Sequence, residues 1–240
     1  MKKNDFIFIL IFTIIVLPFL PFSFLKDFQS SFLYNEDYWL YTSFLKFALL
    51  ATLGEVIGLR IRTGNYTEKG FGLVPRMMVW GFLGITIKIA FVVFAAGIPT
   101  LVEKYFGVAG AKDSMAFKDV FEASENGLGG VRLLSAFLIS TVMNLTYAPV
   151  MMTFHKITDM HIMQTGGSLT KFFTPIPIRK IFPAINWDMQ WNFIFKKTIP
   201  IFWIPMQTIN FMVASEYRVV IAAFLGIVLG VLLSVASPKK

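Results

Sequence analysis

The amino-acid sequence predicts an all-α integral membrane protein: a compact bundle of about six hydrophobic helices, five or six of which cross the bilayer, plus one interfacial helix. Two observations support this fold class. Of the 240 residues, 56% are apolar and 15% are charged, whereas soluble domains contain about 25% charged residues. The apolar residues also gather in runs of about 20, a length that crosses a hydrocarbon core of about 30 Å.

The prediction of helices rests on six apolar runs. They cover residues 6–25, 38–59, 77–102, 133–155, 198–215 and 219–238. The run over 198–215 is the weakest, because it is short and contains Pro200 and Pro205. Strands of a membrane β-barrel would alternate polar and apolar residues over about ten positions, and these runs do not. We therefore expect a helical bundle with five or six crossings.

The first run separates two regions of the chain. Residues 1–37 are expected to form an N-terminal membrane anchor and an outer loop, and residues 38–240 the helical membrane core. A cleaved signal peptide is the alternative interpretation of this run, which follows Lys2 and Lys3. The run is long and has no small-x-small cleavage site after it, which favours an uncleaved anchor.

The charged loops predict the orientation in the membrane. Stretches 60–76 and 156–197 are net basic, whereas stretches 26–37 and 103–132 are net acidic. Lys and Arg in short loops stay on the cytoplasmic side, so we expect a multi-pass protein with a cytoplasmic N-terminus. The net charge of +8 then reflects topology and attraction to anionic lipids, and no nucleic-acid partner is expected.

The residue usage favours a bacterial cytoplasmic membrane. Lysine far outnumbers arginine, and Phe and Ile are abundant, which is typical of an AT-rich genome. The start of the chain is neither amphipathic nor rich in Arg and Ser, as a transit peptide would be. An organellar membrane is the expectation if the chain is eukaryotic.

Residues 156–197 are expected to include a helix lying in the membrane interface. Trp187 and Trp191 stand four positions apart, on one helical face, ahead of Lys196 and Lys197. Amphipathic aromatic residues beside lysines are typical of interfacial helices. The same face is alternatively a docking site for a partner protein, in which case the chain would be a non-transporting scaffold or assembly subunit.

Charged side chains inside the runs are candidate functional residues, because a charge at the middle of a membrane helix costs about 2.5 to 3.5 kcal/mol on insertion scales. Lys88 is expected to face a water-filled interior or a buried ion pair, with an off-centre helix as the alternative. Lys46 lies at a similar depth and would add a second cation to the same cavity. Glu55 shares a helical face with Arg62, so we expect either a pair between them or a role for Glu55 in a permeation path.

Three amides form a second set of intramembrane polar groups. They are Asn144 in the fourth run and Gln207 and Asn210 in the fifth, where Trp203 lies on the same helical stripe. Amides in lipid usually bond one helix to another, so they either join helices or line a path. The small-xxx-small pairs Gly54–Gly58 and Gly226–Gly230 predict close helix contacts or a homo-oligomer.

The sequence offers no catalytic constellation. It contains no cysteine, which excludes thiolate catalysis and cysteine-held metal sites. His155 and His161 lack the i, i+4 spacing of helical zinc sites, so we expect them, with Asp159, to be satisfied surface residues. No enzyme activity, metal or cofactor is expected.

An ordered set of residues also forms a recognisable pattern. Gly54-Glu55 lies in the first core helix, and Trp203, Gln207, Asn210 and Phe211 precede Arg218, which opens the last helix. This order resembles the family of the mitochondrial inner-membrane protein Mpv-seventeen and the twenty-two-kilodalton peroxisomal membrane protein. Residue 55 is Glu where the family has Asp, and Arg218 comes one place early. The resemblance covers about residues 40–236 and implies a compact helical unit that has been proposed to let small metabolites or ions across organellar membranes.

These features together predict a channel or facilitator for small solutes or ions. Cations inside the spans favour anions, so anionic solutes are expected in particular. Lys88 and Lys46 would set the electrostatics of the path. Gln207, Asn210, Asn144 and Glu55 would line or brace it. The expected partners are the lipid bilayer and the solute.

Overall fold

A computed structural model describes residues 3–236, and within that range the chain is helical, without strands. The long elements are α1 (Lys3–Val16), α2 (Trp39–Thr63), α3 (Leu73–Phe106), α4 (Gly129–Gln164), α5 (Met189–Trp203, a π-helix), α6 (Ile204–Met212) and α7 (Arg218–Ala236). Short helical turns at Leu17–Phe19, Ser23–Leu25, Lys26–Phe28, Gln29–Leu33 and Glu36–Tyr38 join α1 to α2. Further short helices, in the later connections of the chain, cover Ala111–Ala116, Val120–Glu125, Leu169–Phe172, Ile178–Ala184 and Ser215–Tyr217. The all-helical prediction is confirmed.

Three of the described helices are long and apolar enough to cross a membrane, namely Leu73–Phe106, Gly129–Gln164 and Ser215–Val235. A fourth candidate is the bent pair Asn4–Phe19 and Ser23–Leu33, which meet at 70°. The side chains that these helices turn outward include large apolar ones such as those of Val93, Val150 and Leu232, as expected of surfaces that face lipid. Five or six crossings remain a prediction.

The first apolar run does not form one straight helix. α1 ends at Val16, a turn containing Pro18 follows, and Leu20 is extended. Proline lacks a backbone N–H and interrupts a helix, so the chain bends here. The Gln29 side chain stabilises the bend by donating to the carbonyl oxygens of Pro18 and Leu20 at 2.9 and 2.7 Å.

α2 lies at the centre of the bundle, where it packs along both α3 and α7. Glycines allow this close packing. A Cβ at Gly54 would lie 3.0 Å from the Ile227 Cα, and Gly58 lies against Ser234 and Gly230. Gly226, in contrast, has open space beside it. Three of the four predicted glycines therefore lie where α2 and α7 meet closely, and the fourth does not.

The second half of the chain completes the bundle around α4. α4 packs against α3 and α6, and the Ser140 hydroxyl donates to the Ile204 carbonyl oxygen at 2.8 Å. α5 contacts α4 only lightly. The predicted run over 198–215 is thus divided among the end of α5, α6 and the turn that follows. The light contact of α5 leaves a space inside the bundle.

Candidate functional site

The space between α2 and the helices α3 to α7 is a cavity of about 570 Å³. Small-molecule sites usually measure about 300 to 1,000 Å³, so the cavity is large enough for a metabolite-sized ligand. Most of its wall is apolar, with side chains from four helices, among them Phe47, Phe91, Met143, Met151, Leu229 and Leu233. An apolar wall favours ligands that carry a hydrocarbon or aromatic body.

Charged residues line one end of this cavity, where α2 and α4 end and α3 begins. Glu55 is the central member. Its carboxylate accepts a hydrogen bond from the Trp80 indole N–H at 2.7 Å and pairs with the Arg76 guanidinium. His155 Nε2 lies 3.2 Å from Glu55 Oε1. One carboxylate on α2 therefore holds side chains from both α3 and α4.

Arg76 extends this arrangement to a second carboxylate. Its guanidinium pairs with Asp159 on α4, and its Nε–H donates to the Phe71 carbonyl oxygen at 2.6 Å. Lys156 Nζ lies 3.5 Å from Asp159. We call Glu55, Arg76, Trp80, His155, Lys156 and Asp159 the charged cluster. Because its two carboxylates are matched by one guanidinium and one ammonium, the cluster is close to neutral when His155 is unprotonated.

The backbone places the charged cluster by joining two glycines. Gly72, just before α3, and Gly167, just after α4, both have positive φ values of 64° and 72°. A Cβ at Gly72 would lie 2.9 Å from the Gly167 Cα. Only residues without a side chain can pass so close in this conformation. The contact holds the first turn of α3, and Arg76 with it, against the last turns of α4.

Neutral polar groups lie deeper in the cavity. Asn144, Gln207 and Trp203 line it. Asn144 donates to the Ser140 carbonyl oxygen at 2.9 Å, and Gln207 Oε1 accepts from Asn210 at 2.9 Å. The indole N–H of Trp203 is buried and has no hydrogen-bond acceptor among residues 3–236. Trp203 therefore places one buried, unpaired N–H beside the cavity.

Three further residues of the predicted signature, Asn210, Phe211 and Arg218, lie behind the cavity wall on the side away from the charged cluster. Phe211 is fully buried, and its ring lies 5.2 Å from that of Phe91. Asn210 donates to the Arg218 carbonyl oxygen at 3.0 Å, and the Arg218 guanidinium donates to the carbonyl oxygens of Phe211 and Val213. These residues join α6 to α7 and act as braces.

Of the intramembrane residues predicted to converge, Glu55, Asn144 and Gln207 share the cavity and Asn210 contacts it through Gln207. Lys46 and Lys88 lie elsewhere, together, beside a second and much smaller space. Lys88 Nζ donates to both carboxylate oxygens of Glu36 at 2.8 Å. Lys88 therefore forms an ion pair, but its partner is an exposed loop carboxylate and the pair is not buried as a whole.

The expected pairing of Glu55 with Arg62 is wrong. Arg62 instead donates to the Ser234 hydroxyl at 3.0 Å, and Arg76 takes its place beside Glu55. Arg62 and Glu55 are two turns apart on α2, whereas the antiparallel packing of α3 brings Arg76 directly against the carboxylate.

The surface placement expected for the histidines and Asp159 is also wrong. His155 and Asp159 line the cavity, and His161 is buried, with its Nε2 3.0 Å from the Phe172 carbonyl oxygen. The i, i+4 spacing of His155 and Asp159 was the available signal, because it puts both on one face of a helix. Arg76 and Trp80 have the same spacing, and these two are site residues that the sequence analysis misses.

The predicted interfacial segment 156–197 is not one unit. Its first residues belong to α4, and its last form the start of α5. Trp187 precedes α5 and donates to the Phe182 carbonyl oxygen at 3.0 Å, whereas Trp191 lies on α5 and is 55% exposed. The two tryptophans therefore have different surroundings. Their position at a membrane interface stays a prediction.

Within residues 3–236, no group of three or more His, Asp or Glu side chains is arranged to hold a metal ion. The chain matches no protein-family model, no curated protein and no solved structure at a significant level. The geometry of the cavity therefore carries the functional argument.

Proposed function

We propose that this chain is a multi-pass membrane facilitator whose cavity binds a small solute with an apolar body and a polar group. The observation that supports this is the cavity of about 570 Å³, apolar along its walls and charged at one end. An amphipathic solute would place its polar group among Glu55, His155 and Lys156. Its body would lie against the methionine and phenylalanine side chains.

The charge balance of the cavity favours a neutral or zwitterionic polar group. Lys46 and Lys88, which led to the expectation of anions, do not line this cavity. Glu55 and Asp159 balance Arg76 and Lys156. A solute with a net charge would leave one member of these pairs unmatched in a site of low polarity, which is costly. We therefore propose a neutral or zwitterionic solute in place of an anionic one.

The packing beside Phe91, on the cavity wall away from the charged cluster, favours a gated facilitator over an open pore. Phe91 and Phe211 meet there, and Asn210 and Arg218 brace the helices behind them. A solute entering past the charged cluster would have to wait for these groups to separate before it could leave at the other end. The transport rate is then set by a conformational change and saturates at high solute concentration.

We also propose six crossings in a bacterial cytoplasmic membrane, with the N-terminus in the cytoplasm. α2 has 25 residues and is about 37 Å long at 1.5 Å per residue. α5 and α6 run on without a break from Met189 to Met212. Both are long enough to cross, in addition to the candidate spans.

The crossings can be tested directly because the chain contains no cysteine. Single cysteines at Asn35, Asn65, Gly127, Ser168 and Ser215 would be labelled in whole cells with a membrane-impermeant maleimide. Six crossings predict labelling at Asn35, Gly127 and Ser215, and protection of Asn65 and Ser168. Labelling of all five positions would place every one of them outside the cell and would rule out the topology.

We propose the resemblance to the Mpv-seventeen family as a relationship of fold and site. It is supported by the positions of the signature residues. Glu55, Trp203 and Gln207 line the cavity, and Asn210, Phe211 and Arg218 lie directly behind its wall. Residues that stand far apart in the sequence pattern thus have related positions around one cavity.

Transport is tested with the purified protein in proteoliposomes and a panel of radiolabelled neutral, zwitterionic and anionic solutes. We expect saturable uptake of a neutral or zwitterionic member, and strong reduction by Ala148→Phe, since Ala148 is buried on the cavity wall. Ala96→Phe is the matched control, because Ala96 is exposed on α3. No flux of any solute class by a folded protein would overturn the proposal and favour the scaffold, whose partner could be crosslinked from Trp191.

A further inference from the structure

A second, separate site lies where the loop before α2 meets α2 and α3. It is a small space lined by charged and hydroxyl side chains, among them Tyr34, Glu36, Thr42, Ser43, Lys46, Lys88 and Glu216. None of these residues lines the large cavity. Whatever binds here is therefore independent of the proposed solute site.

Lys46 is the unusual member of this group. Its side chain is buried, with 4% of the residue exposed. The ammonium lies 4.9 Å from the centroid of the Tyr34 ring, and among residues 3–236 no side chain or backbone group accepts a hydrogen bond from it. An ammonium has three N–H donors, and burying a charge without a hydrogen-bonded partner is costly. Among the described residues, the Lys46 ammonium is therefore left without a hydrogen-bond acceptor.

The neighbouring lysine already holds the nearest carboxylate. Glu36 binds Lys88 with both oxygens at 2.8 Å, and Glu216 lines the space without an ion pair to either lysine. Glu36 is on a short turn, and its side chain is 58% exposed. It can therefore swing away from Lys88 without disturbing the packing of the bundle.

The size of the space restricts the ligand. Its volume is about 10 Å³, close to what one water-sized particle needs. Sulfate and phosphate, with five atoms each, are too large for it. Thr42 and Ser43, both buried, bring hydroxyl groups that can donate hydrogen bonds to an anion. We propose that Lys46 and Lys88 form a binding site for one monatomic anion of the halide class, for which the Glu36 carboxylate is a tethered competitor.

The competition gives the site its characteristic behaviour. With Glu36 on Lys88, only Lys46 and the hydroxyl groups attract the anion. When Glu36 leaves, both ammonium groups face the anion, and binding becomes tighter. Removing the charge of Glu36 should therefore strengthen anion binding, which is the opposite of what a simple structural ion pair would show.

The proposal is tested by equilibrium dialysis of the purified full-length protein against radioactive chloride, with gluconate keeping the ionic strength constant. We expect saturable binding of one chloride per chain. Glu36→Gln should lower the dissociation constant by about tenfold, because a charge-assisted bond to Lys88 no longer competes. Lys46→Met should abolish binding. Glu68→Gln and Lys104→Met, at exposed positions, are the matched controls and should bind chloride as the original chain does.

Three results would overturn the proposal. They are no saturable chloride binding in either the original chain or Glu36→Gln, unchanged binding in a folded Lys46→Met protein, and a Glu36→Gln protein that binds chloride more weakly. The first result would indicate that water alone satisfies Lys46. If Lys46→Met does not fold, Glu36→Gln still decides, since Glu36 is exposed. Dialysis in detergent involves no transport, so failure here is distinct from failure of the proposed facilitator.

Discussion

Trp80 on α3 and His155 on α4 bind the same carboxylate, that of Glu55 on α2. The indole N–H donates at 2.7 Å, the imidazole Nε2 lies at 3.2 Å, and the two rings are 4.3 Å apart. Three helices therefore meet at one acidic side chain. Arg76 is bound to the same group, so Glu55 joins the members of the charged cluster that lie on α3 and α4.

Replacing that charge is expected to destabilise the bundle. Glu55→Gln leaves Arg76 with Asp159 as its only carboxylate and keeps one neutral oxygen that can still accept from Trp80 or His155. Breaking a buried ion pair by removing one partner costs about 3 kcal/mol or more. Thermal denaturation followed by tryptophan fluorescence should show a clearly lower midpoint. Glu68→Gln, in an exposed loop, should leave the midpoint unchanged, and equal midpoints for the two variants would contradict this prediction.

Gly54 and Gly226 each begin a small-xxx-small pair, but replacing them with leucine should have opposite effects on stability. At Gly54 the new Cβ would meet the Ile227 backbone at 3.0 Å, so α2 and α7 would have to separate, at a cost of about 1 to 3 kcal/mol. Gly226 has no heavy atom within 4 Å of a new Cβ, and leucine is the better helix former. We expect Gly54→Leu to lower the melting temperature. Gly226→Leu should keep or raise it while narrowing the cavity. Equal losses in both variants would contradict the packing described.

Asn210 is expected to contribute more to stability than an exposed asparagine. It is fully buried and donates to Gln207 and to the Arg218 carbonyl oxygen at 2.9 and 3.0 Å. Asn210→Ala removes both bonds and leaves the carbonyl without this donor, which costs about 1 to 3 kcal/mol. Asn192→Ala, at an exposed position of α5, should cost under about 0.5 kcal/mol. Denaturant titration of both variants in detergent compares these losses, and a smaller loss for Asn210 would refute the bracing role.

The phenol of Tyr34, in the loop before α2, should ionise late. Burial, with Tyr217 nearby, raises the pKa of Tyr34 to about 12, against about 10 in an unfolded chain. Because the folded state holds this proton more tightly, the associated stability is complete below pH 10 and is lost as the pH rises through about 12. Ultraviolet absorbance of phenolate, compared between the original chain and Tyr34→Phe, isolates this group. A difference that titrates near pH 10 would show that Tyr34 is not buried.

The sequence carries much of the helical architecture because apolar runs have a local signature. The runs 38–59, 77–102 and 133–155 lie within, or almost within, helices α2, α3 and α4. The run 219–238 lies in α7 as far as residue 236, and its last two positions are outside the described residues. A charge inside an apolar run is costly in a membrane, and this rule also identifies Glu55, Lys46 and Lys88 as candidate functional residues. All three are bound or enclosed by groups from other elements.

The partners of those charges lie on other helices or loops, so spacing along one helix does not identify them. Asp159 is far from Arg76 along the chain, and their contact depends on how α3 and α4 pack. Spacing along a single helix offered only Arg62 for Glu55. The bend at Pro18 was equally hidden, because the same residues are compatible with a straight apolar helix until Gln29 binds the freed carbonyl oxygens.

The π-helical form of α5 has a consequence for mutational scans. Its residues on the cavity wall include Gln190, Ile194, Thr198 and Trp203, which recur every four to five positions. An α-helix would present one face at intervals of three and four, whereas a π-helix turns more slowly along the chain. A scan of this segment should therefore show sensitive positions at the longer interval, and a helical wheel drawn for an α-helix would place Trp203 opposite the other three.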